Sequence, residues 1–217
     1  MGDNNGPQTR VILIRHGQTA WNKQEVFRGR ADIPLDEVGL RQAEAVAEAL
    51  AAEQITRVMT SPLSRAVKTA EALAASRQIV PVVMPAFIDM DFGEWEGQQH
   101  AVVREQFPEL YAAWRDRPQE VQFPGGEDLE AVRLRAGAAL DELVEQYPGE
   151  TMAIVSHRVV NKLIICHILG LDNSHFWQIK QDTACLNRFR AIGGGYVLDC
   201  LNDTCHMRRL GFAVGDF

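Results

Sequence analysis

Arg15, His16 and Gly17 follow directly on the aliphatic run at residues 11–14, and Asn22 comes shortly after. A guanidinium and an imidazole at the end of a buried strand suit anion binding and nucleophilic chemistry. Other segments that read as strands end in a similar way. Ser61, Pro62 and Arg65 follow residues 57–60. Asp89, Asp91 and Glu94 follow residues 79–84, and Ser156, His157 and Arg158 follow residues 151–155. In an open α/β sheet, ligands bind beyond the carboxyl ends of the strands. Histidines, arginines and an acidic loop would therefore converge on one crevice.

The intervening segments must hold those ends in place. Residues 35–53 carry Leu40, Ala43, Val46, Ala47 and Leu50 on one helical face. Pro62 opens a second helix over 63–75, and further helices are expected over 129–147 and 159–169, the last stopped by Gly170. Alternating strands and helices imply a mostly parallel sheet covered on both faces. Two late strands, 184–191 and 196–201, flank Gly193, Gly194 and Gly195 and read as a terminal hairpin. No helix follows that glycine run, so it is a turn and not a nucleotide loop. Between them, residues 93–126 interleave Trp95, Phe107, Tyr111, Trp114 and Phe123 with charges and prolines. This stretch reads as a helical insertion whose aromatics pack. The expected fold class is α/β: a three-layer α/β/α sandwich with a cap inserted at about 97–124 and a C-terminal β-hairpin. Residues 1–9 are expected to form a flexible tail, and 10–217 a single domain.

The 217 residues carry a formal net charge of −7, which disfavours a nucleic acid partner. A local cluster of arginine and histidine can still hold a small anion. No apolar run reaches membrane-spanning length, so no membrane partner is expected. Cys166, Cys185, Cys200 and Cys205 form no CxxC pair and, with His206, no standard zinc spacing. They read as reduced thiols, which points to the cytoplasm. No metal or cofactor is expected.

The motifs ILIRHGQTAWN, GRADIPLDEVGLRQA, TSPLSRAVKTA, DFGEWEG, PGGED and VSHR occur in that order between residues 12 and 158. Together they resemble the histidine phosphatase superfamily, also called phosphoglycerate mutase-like. The later stretches NSHFWQIKQDTACLNRF and LNDTCH resemble its phosphatase branch, and the chain is similar to metal-independent phosphoserine phosphatases. The resemblance implies hydrolysis of a small phosphorylated metabolite. Phosphoglycerate mutase and a catalytically impaired phosphate-binding member are the alternatives.

The chemistry fits these residue types. Phosphorus is shielded by anionic oxygens, and arginine neutralises them through paired hydrogen bonds and a permanent charge. Arg15 and Arg65 are the expected clamps, and His157 supplies a further donor if protonated. Asn22 adds neutral donors, Gly17 lets the backbone approach, and Gln18, Thr19 and Arg28 are further candidates for substrate binding. His16 is the expected nucleophile, forming a phosphohistidine while its other ring nitrogen donates to a backbone carbonyl. A carboxylic acid must protonate the leaving alkoxide and then activate water. The resemblance places Asp89 in that role, where glutamate is usual, with Asp91 as fallback and Glu94 and Glu96 less favoured. Arg158 stands where the family commonly has glycine, and is read first as a solvated or ion-paired residue, with substrate contact as the alternative. Asp128 is read as a helix cap and Glu127 as a first-turn residue. His100, His167, His175 and His206 are read as structural. The cap and the C-terminal segment would select the organic group. The terminal hairpin could pair two copies into a homodimer.

Overall fold

The computed structural model describes residues 8–209 and 211. Strands β1 (Thr9–Arg15), β2 (Arg57–Thr60), β3 (Val82–Val83), β4 (Thr151–Ser156), β5 (Leu186–Ile192) and β6 (Gly195–Asp203) form one sheet. Their order is β3-β2-β4-β1-β5-β6. The first four are parallel, and β5 and β6 run antiparallel at one side. Residues 11–14 of β1 are all buried because the sheet is covered on both faces.

Alternate β1 side chains feed two cores. Val11 and Leu13 pack with α6 (Leu129–Gln146) and α7 (Arg158–Leu169). Ile12 and Ile14 pack on the opposite face with α2 (Glu37–Ala49), α3 (Ser64–Ala75) and Met207 of α8 (Cys205–Arg209). Burying each such aliphatic side chain stabilises the fold by about 1.5–3 kcal/mol. The helix boundaries follow local chemistry. Asp36 caps α2 through the Gly39 amide at 2.8 Å, and Asp128 caps α6 through the Ala131 amide at 2.7 Å. Gly170 ends α7 in the left-handed conformation, φ 65°.

Several boundaries differ from those read in the sequence. The strand expected over 79–84 shrinks to Val82–Val83, 57% and 50% exposed. Pro81 has no amide to donate, and the strand sits at the sheet's edge. The helix expected over 35–53 begins only after the Asp36 cap. β5 starts at Leu186 because Ala184 turns through φ 54° while its amide bonds the His16 carbonyl. Thr9, expected in the tail, is a buried strand residue whose hydroxyl donates to the Tyr147 carbonyl. The remainder of that tail, apart from Gln8, lies outside the described residues. A short α8 follows the hairpin. Within residues 97–124 lie α4 (His100–Gln106), α5 (Pro108–Asp116) and a 3₁₀ turn at Pro118–Glu120.

Strand register brings the site together. Arg15 pairs with Ser156, and Thr60 with Val155, so β1, β2 and β4 end at one level. His16, Ser61 and His157 each stand one residue beyond those ends. Among the described residues no helix is long and apolar enough to cross a membrane.

Candidate active site

His16 is locked at its backbone. Its amide donates to the Ser156 carbonyl at 3.0 Å, and its own carbonyl accepts from Ala184 at 3.1 Å. Its ring Nδ1 lies 2.6 Å from the Gly17 carbonyl. A carbonyl only accepts, so Nδ1 carries the proton and Nε2 keeps its lone pair. Burial first, then the charges of Arg65 and Arg15, hold this imidazole well below its usual pKa of 6.5. The ring is therefore neutral at pH 7, the form a nucleophile needs.

His157 stands beside it, with ring centroids 5.1 Å apart. Its Nε2 lies 2.7 Å from the Ser61 hydroxyl. Burial and the neighbouring Arg65 and His16 hold it neutral too, well below 6.5. Its Nδ1 approaches Asp89 Oδ2 at 3.6 Å, a neutral imidazole facing a carboxyl group and not a full ion pair. The further donor expected of His157 if protonated requires a charge that burial opposes. An arriving phosphate dianion supplies the charge that would favour its protonation.

The arginines are as buried as the core. Arg15 and Arg65 are both 0% exposed. Arg15 donates to the Gln181 carbonyl at 2.7 Å. Arg65 donates to the carbonyls of Ala31 (2.7 Å) and Gly29 (2.8 Å) and reaches Asp89 Oδ2 at 3.3 Å. Its Nε makes no hydrogen bond. Fixed guanidiniums around a neutral imidazole form a preorganised anion site.

The acidic candidates separate in space. Asp89, 6% exposed, touches both Arg65 and His157. Asp91 instead caps the Gly93 amide at 2.8 Å and pairs with Arg30 at 3.4 Å. Glu96 accepts from the amides of Arg30 and Phe92. Glu94 is exposed.

Other expected site residues have different places. Asn22 and Arg28 line a cleft of about 590 Å³ together with Arg158, the residue after His157. Thr19 is buried and donates to Asn22 Oδ1 from both its amide and its hydroxyl, at 2.8 Å each. Gln18 donates to Asp36 at 2.8 Å and so ties its loop to α2. Gly17 packs against Gly39. A Cβ there would press into the Gly39 carbonyl, and one at Gly39 would overlap the Gln18 carbonyl. The glycines let the loop after β1 sit directly on the first turn of α2.

Several contributors escaped the sequence reading. Glu127 is not helical; it pairs with Arg30 at 3.0 Å and with Arg135 at 3.0 Å. Arg135 also donates to the carbonyls of Ala86, Ile88 and Asp89 at 2.7, 2.8 and 3.2 Å. It thereby clamps the loop that carries Asp89. His100, read as structural, stacks on Phe27 at 4.0 Å and lines the cleft. Arg158 lines it as well. Nothing in local spacing links Arg135 to a loop more than forty residues earlier; only the tertiary fold does. His167 bonds Asp141 at 3.0 Å, His175 bonds Asp172 at 3.3 Å, and His206 bonds the Ala184 carbonyl at 3.1 Å. All four cysteines are free thiols.

The sheet gathers buried histidines and arginines at its strand ends, an arrangement suited to an anionic group. Residues 11–204 match the family model of the histidine phosphatase superfamily, branch 1. The chain belongs to that superfamily and is a phosphatase. It is 32% identical over 198 residues to Phosphoserine phosphatase 1 of Hydrogenobacter thermophilus, covering 91% of this chain and 94% of that one. It is 30% identical to the Adenosylcobalamin/alpha-ribazole phosphatase of Salmonella typhimurium, covering 92% and 98%. The solved structure of Bacillus stearothermophilus YhfR superposes with a TM-score of 0.87 at 28% identity, covering 92% and 99%.

Proposed function

We propose that this chain hydrolyses small phosphomonoesters, without a metal ion, through a phosphohistidine on His16. The observation that carries the reading is a neutral His16 imidazole, with Nε2 unprotonated, set among the buried charges of Arg15 and Arg65. In the first step Nε2 attacks phosphorus in line. The N–P bond forms as the P–O bond to the organic group breaks. Asp89 in its acid form gives its proton to the departing alkoxide. In the second step Asp89 takes a proton from water, the water oxygen bonds phosphorus, and the N–P bond breaks. Inorganic phosphate leaves, and His16 is again neutral. The charges of Arg15 and Arg65 neutralise the phosphoryl oxygens throughout, and Asn22 and His157 donate hydrogen bonds to them. We take the chain from Thr9 onward as one cytoplasmic domain with a cap, and the hairpin as the surface where two copies would pair.

Phosphate release from a panel of phosphomonoesters in excess EDTA tests this reading. Wild type should release phosphate and His16→Ala should not. Brief exposure to labelled substrate should leave an acid-labile, alkali-stable label on wild type alone. Release that stops with the chelator would overturn the metal-free mechanism. No release from any ester would overturn the phosphomonoesterase itself.

A further inference from the structure

We propose that Arg158, with Arg115 and Arg28, forms a subsite for a second anionic group on the substrate's organic moiety. This rests on the phosphomonoesterase reading above. A cavity of about 50 Å³ is lined by Asp89, Arg28 and Arg158. The same two arginines also line the larger cleft of about 590 Å³, together with Arg115, His100 and Trp177. An organic group bound past Asp89 would therefore reach the walls that Arg28 and Arg158 line.

The charge there runs against the rest of the protein. The chain carries −7 overall, yet among the described residues the outer cleft sets Arg28, Arg115 and Arg158 against the carboxylate of Glu25. Such a local reversal attracts an anion and repels a cation. A guanidinium has five donors, so an existing neighbour does not exhaust it.

Arg158 is also built on a rigid wall. It opens α7 directly after His157, and its Cζ lies 5.8 Å from the Trp177 ring centroid. That indole donates to the Trp114 carbonyl at 2.7 Å. Lys162, 2% exposed, sits 4.5 Å from the same ring centroid and donates to the Phe176 carbonyl at 3.1 Å. Held against an anchored indole, the Arg158 guanidinium loses little freedom on binding a carboxylate or phosphate. A neutral aromatic leaving group would need the aromatic wall but not these charges.

Substrate pairs that differ in one anionic group test the subsite. O-phosphoserine against O-phosphoethanolamine, and 3-phosphoglycerate against glycerol 3-phosphate, report a carboxylate. Fructose 1,6-bisphosphate against fructose 6-phosphate reports a second phosphate. The quantity read is the ratio of kcat/KM within each pair, from which the active fraction of each preparation cancels. Wild type should favour the anion-bearing member of at least one kind of pair by about ten- to a hundredfold, the size of a charge-assisted hydrogen bond. Arg158→Gln should bring that ratio close to one, and Arg158→Lys should keep part of it. If Arg158→Gln does not fold, Arg158→Lys carries the test, and its ratio must still fall. Hydrolysis of both members at equal efficiency by wild type would overturn the subsite and leave the phosphatase reading standing. A wild-type preference that survives Arg158→Gln would do the same. Failure to hydrolyse any of these esters would overturn both.

Discussion

His16 and His157 are buried imidazoles that the fold holds neutral, chiefly by keeping them from water and then by the nearby arginines. Their folded pKa values lie below the unfolded value of 6.5, so the unfolded chain takes up protons first as pH falls. Stability is therefore fully present above pH 6.5 and declines as pH drops beneath it, by about 1.4 kcal/mol for each unit of pKa difference. Urea unfolding at pH 7.5 and 5.5 should show a marked loss in wild type. His16→Gln with His157→Gln should lose less over the same interval, and equal losses would refute the assignment. Asp89 gives a second prediction at this scale. Its carboxyl matters most when the departing oxygen is a strong base. Asp89→Asn should lower kcat/KM for alkyl phosphates by about 10²–10⁴-fold. For p-nitrophenyl phosphate, whose leaving phenolate needs little protonation, the loss should be much smaller. Equal losses on both substrates would remove Asp89 from the acid's role.

The elements make those side chains converge, and their joints can be tested one by one. Arg135 on α6 bonds three carbonyls of the acid loop and the Glu127 carboxylate at once. Arg135→Met removes those donors, so chemical denaturation should show a loss of about 1–3 kcal/mol. The variant should also show a weaker form of the Asp89→Asn signature, because Asp89 would lose its fixed aim. A stability loss with no leaving-group dependence would make Arg135 purely structural. Gly39→Ala should act on the His16 side. Its Cβ would overlap the Gln18 carbonyl and push the loop after β1 off α2. Overpacking of this kind costs about 1–3 kcal/mol, and kcat should fall with it. These joints also mark what could be read in the sequence. β1, β2 and β4 were legible because each is a short apolar run ending in a polar cluster. α2 was legible from its periodicity and α6 from the Asp128 cap. Gly39, Arg135 and Glu127 were not, since each acts on a loop distant in sequence. β3 was overread because its apolar residues lie on an exposed edge beside Pro81.

At the scale of the whole molecule, the cap is not a separate lid. Trp95, Val103, Trp114, Val121 and Phe123 belong to the same buried cluster as Leu13, Leu140 and Ile164. Trp114 holds this union together. Its ring meets Phe92, Phe123, Phe176 and Trp177 at centroid distances of 5.0–6.1 Å. Its carbonyl accepts from the Trp177 indole. The aromatics read from the sequence as packing residues thus have two roles: Trp95 and Phe123 fill the core, while Tyr111 and Trp114, joined by Trp177, also line the cleft. A cap sharing one core with the sheet cannot be trimmed away to test specificity, because its loss would expose that core. Substrate selection must instead be probed by single side chains on the cleft wall. The same continuity predicts a single cooperative unfolding transition. Trp114→Ala should lower stability by about 3–5 kcal/mol, and far-ultraviolet dichroism and tryptophan fluorescence should still change together. Two separated transitions would mean that the cap melts on its own, and the cleft would then be a closing device and not a preformed site.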